Sequence, residues 1–352
     1  MNIRLALPLL VLLLAACSRP PAEHHDSQLV FGTLVDVTLY GVDDATARQA
    51  FRQLREDFKL MHFMWHPWKP GPLGRTNELL ALQAPFSANP SILPLLEKSL
   101  PLTQASDHLY NPAIGKLLDL WGFHSDEPPT GPPPDPQAIA ALVAANPRLE
   151  DIEIQGIVMR GTNPAVKLDF GAMAKGLAID RGIAALKALG VHHAVINAGG
   201  DLKVIGRHGN RPWRVGIRHP RGEGVLAVLD VNDGEAVFTS GDYERNFVWE
   251  GKRYHHILDP RTGYPAEGTQ SVTVIHPDAA TADAAATALF VAGPDLWPKI
   301  ARQMGIESVL LVDSEGALQA TPSMHSRLKF PKPPSRLRIV DPARADAADK
   351  AE

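Results

Sequence analysis

Apolar and polar positions along this chain follow two rhythms, a helical one in the first half and a strand-like one in the second. The first apolar run, Leu5–Leu14, follows a single cation, Arg4, and is too short to span a bilayer, so residues 1–16 read as a signal peptide. Residues 29–40 (LVFGTLVDVTLY) predict a strand, and residues 43–63 have the spacing of an amphipathic helix. Prolines and glycines make a loop of Trp65–Asn77 (WHPWKPGPLGRTN). Helices are expected over 92–106, 111–123 and 137–145, the last two separated by the proline-dense SDEPPTGPPPDP of residues 125–136. From Ile152 short strands take over, in meander fashion, at 152–159, 165–170, 194–197, 202–205, 213–217, 225–231, 236–239, 247–249, 254–258, 271–275 and 308–312. Three helices interrupt them, at 172–189, 281–292 and 296–304. Helices mostly early and antiparallel strands mostly later favour an α+β fold over a doubly wound sheet. One folded unit is expected over 29–330, and residues 331–352, rich in Pro, Arg, Asp and Ala, are expected to be disordered.

With 352 residues, 45% hydrophobic and 21% charged, the chain has ordinary globular composition and enough length for two lobes. A net charge of −4 gives no support for nucleic-acid binding. The cysteine count changes the picture more. Cys17 is the only cysteine, so no disulfide can form, and it directly follows Leu14-Ala15-Ala16. That arrangement resembles a bacterial lipobox, in which Cys17 is lipidated and anchors the mature protein to a membrane surface, with residues 18–28 as a polar tether. A plain signal peptide cleaved nearby, with Cys17 incidental, is the alternative.

Candidate chemistry centres on KLDFGAMAKGLAID, Lys167–Asp180. An apolar strand closes at Phe170, Gly171 permits a turn, and the alanine-rich segment after it is a helix whose first amides favour an anion, with Lys175 one turn in. An ordinary strand, turn and helix would have the same pattern. Asp169 would repel an anion there unless it caps, bonds a sugar or base, or shares a cation. In TADAAATAL, Asp283 and Thr287 stand four residues apart, placing two hard oxygens on one helix face, suited to Mg²⁺ or equally to a first-turn charge and a surface hydroxyl. HHILDPRTGYP (255–265) ends a strand with two histidines that must face opposite sides, one of them suited to accept a proton, although a structural histidine followed by an Asp-Pro turn has the same pattern. NAGGD (197–201) and SGDYER (240–245) are turns able to line a cleft, and Trp65 and Trp68 could stack on a flat ring or pack internally.

Taken together and in order, DFGAMAKGLAID, NAGGDL, TSGDYER, HHILDPRTGYP and TADAAATAL resemble the ApbE family, the FAD:protein FMN transferases, over residues 31–314. The resemblance implies a two-lobed α+β fold around a flavin-binding cleft. It implies Mg²⁺-dependent cleavage of FAD, with FMN passed to a Thr or Ser hydroxyl of an acceptor protein and AMP released. Acceptors of that family are flavin-carrying subunits of membrane redox pumps and extracytoplasmic electron carriers, which agrees with a lipid-anchored protein facing the periplasm. By position, the resemblance assigns Asp169, Lys175, Phe31, Trp68, Leu109, Tyr110, Asn111 and Ile257 to FAD. The carbonyl of Ala172, with Asp283 and Thr287, would bind the metal, and His256 is the implied general base. Phe31 stands where the family usually has methionine and Asn111 where it has aspartate, and the 65–77 loop lacks the serine common before its last asparagine. A metal-dependent FAD pyrophosphatase and a non-catalytic, lipid-anchored flavin carrier are the alternatives. Asp283, Thr287 and His256 discriminate, since a carrier needs neither metal nor base.

Overall fold

The computed structural model describes residues 22–347; the expected signal segment, Cys17 and the last five residues lie outside it. Its first strand, β1 (Glu23–Val30), pairs over its whole length with β2 (Thr33–Tyr40). Val30 lies opposite Thr33, so the connection is the pair Phe31-Gly32, with φ of 55° and 73°, as a type I′ hairpin turn requires. The single strand expected at 29–40 is therefore the tip of one strand and all of another. The expected tether to residue 28 is also cut short, because 23–28 belong to β1. An edge strand open to water along much of its length carries no apolar alternation, so EHHDSQ gave no strand signal.

Helix α1 (Asp44–Trp65) starts where the Asp43 carboxylate accepts the Thr46 amide at 2.8 Å, and its buried stripe is Ala47, Ala50, Leu54, Phe58, Met61 and Trp65. Helix α2 (Pro72–Ala81) begins inside the segment expected to be loop, with Pro72 in the first turn, where a missing N–H costs nothing. There follow β3 (Phe86–Ser87), α3 (Leu93–Ala105), α4 (Gly115–Leu120), α5 (Pro136–Ala145), β4 (Ile152–Gln155) and β5 (Val158–Gly161), the three strands forming a small antiparallel sheet. After α6 (Ala174–Ala188) come β6 (Ala194–Ala198), β7 (Asp201–Ile205), the hairpin β8 (Trp213–Arg218) and β9 (Val225–Val231), β10 (Ala236–Gly241), the hairpin β11 (Asn246–Trp249) and β12 (Lys252–His255), and β13 (Thr269–His276). Helix α7 (Ala279–Gln303) is broken at Gly293 (φ 73°), before Pro294, which is why the sequence shows two helices there. β14 (Ser308–Asp313), β15 (Leu318–Ala320), α8 (Pro322–His325) and β16 (Leu337–Ile339) complete the order.

Nine strands form the main sheet, in the order β1-β2-β6-β7-β10-β13-β14-β15-β16. Each pair is antiparallel except β15 with β16, which is parallel. The arrangement is α+β, as expected. It corrects the disordered tail: through residue 347 the chain is described, and β16 satisfies its backbone on the sheet edge, which composition alone does not reveal. Alternation divides the sheet's side chains between two cores. Phe238, Val274 and Leu311 enter the large core with α1, α6 and α7, while Val237, Ile275 and Leu310 face Trp213, Leu229 and Val231 of the β8–β9 hairpin. A third, smaller core gathers Leu117, Trp121, Phe123, Ile139 and Leu258, with Phe247 and Tyr254 of the β11–β12 hairpin against it. Of the candidate residues, Phe31, Leu109, Tyr110, Ala172 and Ile257 pack with the large core.

Candidate active site

Asp169 is placed by an extended segment held from two sides. Its amide donates to Pro112 O at 2.8 Å, and the Asn77 carboxamide brackets Leu168, accepting from its N–H at 2.6 Å and donating to its carbonyl at 2.9 Å. One carboxylate oxygen of Asp169 accepts the Gly171 amide at 2.6 Å, forming the turn into α6, and the other accepts from His124 Nε2 at 2.7 Å. The Nδ1 side of the same ring meets Asp119, whose second oxygen pairs with Lys167. Burial disfavours charge on both Asp169 and His124. Their mutual bond, with Asp119 helping on the histidine, outweighs it, holding Asp169 below and His124 above their usual ranges. Trp68 stacks on His124, with ring centroids 4.9 Å apart and planes 20° apart. The Arg245 guanidinium lies 5.7 Å from the Trp68 ring and donates to the carbonyls of Phe123 and Ser125. The edge of His66 packs on Trp68, His62 on His66, and Phe31 on His62.

A second cluster forms where α6 and α7 begin side by side. Their approach requires Gly176: a Cβ there would lie 2.2 Å from Ala279 O and 2.7 Å from Ala280 Cα. Across this contact Asp283 accepts the Gly176 amide at 3.0 Å, so a first-turn N–H of α6 is engaged by the protein's own carboxylate. Lys175 pairs with Asp201, which follows the NAGG turn and also accepts the Thr239 amide at 2.9 Å. Burial opposes the charge on Lys175, yet the carboxylates of Asp201 and Asp283 push its pKa up. Asp283 goes the other way: burial, reinforced by Asp201 and only partly offset by Lys175, pushes it up to about 7. Thr287 stands one turn further along α7, its hydroxyl 3.0 Å from that of Ser240.

The two histidines separate as alternation demands. His255 is buried, its Nε2 2.9 Å from Ala266 O and its ring edge-on to Phe290, so it is structural. His256 is half-buried, with Nδ1 3.2 Å from Arg245 O, and among the described residues its Nε2 makes no hydrogen bond. Burial, then the positive charge of Arg245, push its pKa down to about 3, so the imidazole is neutral across the physiological range. Lys175 also contributes to that field, and Tyr110 feels both Asp169 and Asp283, which places the two clusters within electrostatic reach of one another.

Not every candidate reaches this place. Leu109 and Tyr110 are buried, the Tyr110 hydroxyl 2.9 Å from Ser99 Oγ, and Asn111 spends its amide on Pro147 O and Ala113 N, both at 2.9 Å. These three brace the extended segment that carries Asp169, where the strand expected at 165–170 is reduced to a single bridge at Lys167, rather than offering free polar atoms. Ile257 lies in the large core at 5% exposure. Ala172 is half-buried on the turn before α6, and Phe31 occupies the hairpin tip. Sequence reasoning passed over His124, Asp119, Asp201 and Ser240 as individuals. Asp201 and Ser240 sat in turns already noted, whereas His124 has partners 5 and 45 residues away and no local signal.

Residues 31–310 match the ApbE family. The chain is 44% identical over 327 residues to an FAD:protein FMN transferase of Rhodobacter capsulatus, a match covering 92% of this chain and 62% of that protein. It is 31% identical over 332 residues to an FAD:protein FMN transferase of Treponema pallidum, covering 87% and 89%. Among solved structures it resembles an ApbE protein of Thermotoga maritima (TM-score 0.79, 31% identity, 87% of this chain and 99% of that one). A flavin transferase ApbE from Vibrio cholerae is similar too (TM-score 0.76, 25% identity, 88% and 100%).

Proposed function

The chain belongs to the ApbE family, and from that membership we propose that it transfers FMN from FAD to a Thr or Ser hydroxyl of an acceptor protein. The hydroxyl oxygen attacks the FMN-side phosphorus of the diphosphate, the P–O bond to AMP breaks, and AMP leaves with the bridging oxygen. The observation that carries this reading is convergence. Four of the five motifs in the resemblance contribute to the two clusters, through Asp169 and Lys175, Asp201, Ser240 and Arg245, and Asp283 with Thr287, and the fifth sets His256 beside Arg245.

His256 is the proposed acceptor of the hydroxyl proton, at Nε2. Its low pKa leaves it ready to accept but weakly basic, and the negative charge of a bound diphosphate would raise its basicity when substrate is present. Lys175 would stabilise the charge developing on the departing AMP. Trp68 and Arg245 offer a flat face and a cation to the flavin nucleotide, and Asp169 accepts from its polar groups.

The donors present fit a hard divalent ion. Asp283 is a carboxylate whose burial, reinforced by Asp201 and only partly offset by Lys175, pushes its pKa up, and the Thr287 hydroxyl lies one turn away on the same helix. No group of three His, Cys, Asp or Glu side chains among the described residues could hold a metal, so most donors would come from phosphate and water, as Mg²⁺ prefers. Asp283, Thr287 and the carbonyl of Ala172 would hold it, and it would act as a Lewis acid on the phosphoryl oxygens. Lipid anchoring at Cys17, outside the described residues, belongs to the same proposal: it would keep the site on the extracytoplasmic face with the acceptor subunits.

Incubation with FAD and Mg²⁺, with and without a threonine-bearing acceptor, tests the reading by mass spectrometry. Acceptor gaining FMN with release of AMP, abolished by EDTA, is the expected result. FMN and AMP without an adduct would replace it with the pyrophosphatase, and intact FAD in both arms would overturn it.

A further inference from the structure

His124 is a residue whose environment exceeds what packing requires. Its side chain is 4% exposed, yet it carries a carboxylate on each ring nitrogen, Asp119 at Nδ1 and Asp169 at Nε2, and an indole on its face. A neutral imidazole has one N–H and can donate to only one of two ionised carboxylates. The other contact would then set a lone pair against an anion. Two carboxylates on one ring are therefore satisfied together only by imidazolium. Lys167 neutralises the far side of Asp119, so the four groups Lys167, Asp119, His124 and Asp169 sum to zero charge. The other charged groups near this unit are Arg245 over Trp68 and the exposed Lys69–Asp126 pair, with the His66 ring edge-on to Trp68.

Resting on the transferase reading, we propose that His124 is a positioning residue for the flavin nucleotide: as a doubly bonded imidazolium it fixes the rotamer of Asp169 and the tilt of Trp68 together. The two groups come from different parts of the chain, Trp68 from the loop before α2 and Asp169 from the turn before α6. His124 is the contact that locks one to the other. It touches no reacting atom, so its removal acts on FAD affinity and leaves the phosphoryl step, which Lys175, Asp283 and His256 serve, in place. The sign of the pH dependence follows. The histidine pKa is raised, so the brace is complete below the ordinary value of about 6.5 and fails as pH rises through the elevated one.

The test combines kinetics with a measurement on the ligand-free protein. In His124→Gln the KM for FAD should rise about tenfold while kcat changes less than about threefold, and the alkaline decline in FAD affinity expected for wild type should vanish. Asp119→Asn, altered outside the cleft, should keep kcat and move that alkaline decline about one pH unit lower. Histidine-selective ¹⁵N NMR of the ligand-free protein should show one imidazole that keeps both protons to higher pH than an ordinary histidine does. Unchanged KM in both variants, or a His124 ring that loses its second proton at or below the ordinary histidine value, would overturn the proposal. The NMR result does not depend on turnover, so a wild-type protein that fails to bind FAD would defeat the transferase reading alone.

Discussion

The two ionic clusters of the candidate site are both built from cations set against aspartates, yet they are balanced in opposite ways. Around His124 the charges cancel and each nitrogen and carboxylate oxygen has a partner within the protein. Around Lys175 one cation serves both Asp201 and Asp283, and burial together with the repulsion of Asp201 pushes the Asp283 pKa up to about 7. Buried carboxylates short of counter-charge lower stability unless a cation arrives. The contrast teaches where to look for chemistry: the satisfied cluster holds a shape, and the unsatisfied one is completed by what binds.

Removing a carboxylate from each cluster should break the symmetry most strongly. Asp283→Ala takes away the under-neutralised group, so FMN transfer should fall by on the order of a thousandfold, several kcal/mol of transition-state stabilisation, while the melting temperature holds or rises. Full Mg²⁺-dependent activity in this variant, read by acceptor mass, would remove Asp283 from the metal site. Asp169→Ala should do the reverse. It leaves the buried His124 with Asp119 alone and opens the turn at Gly171, at a cost of about 1–3 kcal/mol in chemical denaturation, with FAD affinity lost before kcat. Equal loss of stability in the two variants would dissolve the distinction.

Next in size is the proposed base. His256→Ala should slow transfer by about a hundredfold or more while FAD binding stays within a few-fold, since the ring sits beside Arg245 rather than in either ion cluster. An unchanged single-turnover rate would take it out of the mechanism. Gly176→Ala tests the scaffold beneath the unbalanced cluster. The added methyl meets backbone of Ala279 and Ala280, which cannot swing away as a side chain would, so about 3 kcal/mol of stability should be lost. Activity should fall with it, because Asp283 is carried by the helix that must move.

How legible this was in the sequence depends on the range of the interaction. Asp283 and Thr287 were visible because four residues on one helix put them on one face, and the α6 start because strand, glycine and alanine-rich helix adjoin in sequence. Helix α2 also had its local signal, Pro72, which the surrounding prolines and glycines masked as loop. The polar β1 and the late β16 were hidden because sheet edges impose no alternation on their outer faces. His124 was hidden for a different reason: at the end of WGFH, before a proline-rich loop, nothing local distinguishes it, and its meaning comes from Asp169, 45 residues on.

The smallest effect expected is also the one that sets the histidines against each other. His66 and His256 are held neutral, with burial pushing them down to about 4 and about 3, whereas His124 is held charged. Acidification below about 6.5 protonates the first two in the unfolded chain before the folded one, so their share of stability fades as the pH falls toward 4. His124 has the opposite sign: its contribution is whole below about 6.5 and fades only as pH rises through its elevated value. Denaturation midpoints measured from pH 4 to 9 should therefore fall toward both ends. His66→Gln should flatten the acid limb and His124→Gln the alkaline limb. A single variant that flattened both limbs would mean that the two kinds of histidine titrate as one unit, and the separation between a neutral set and a charged brace would fail.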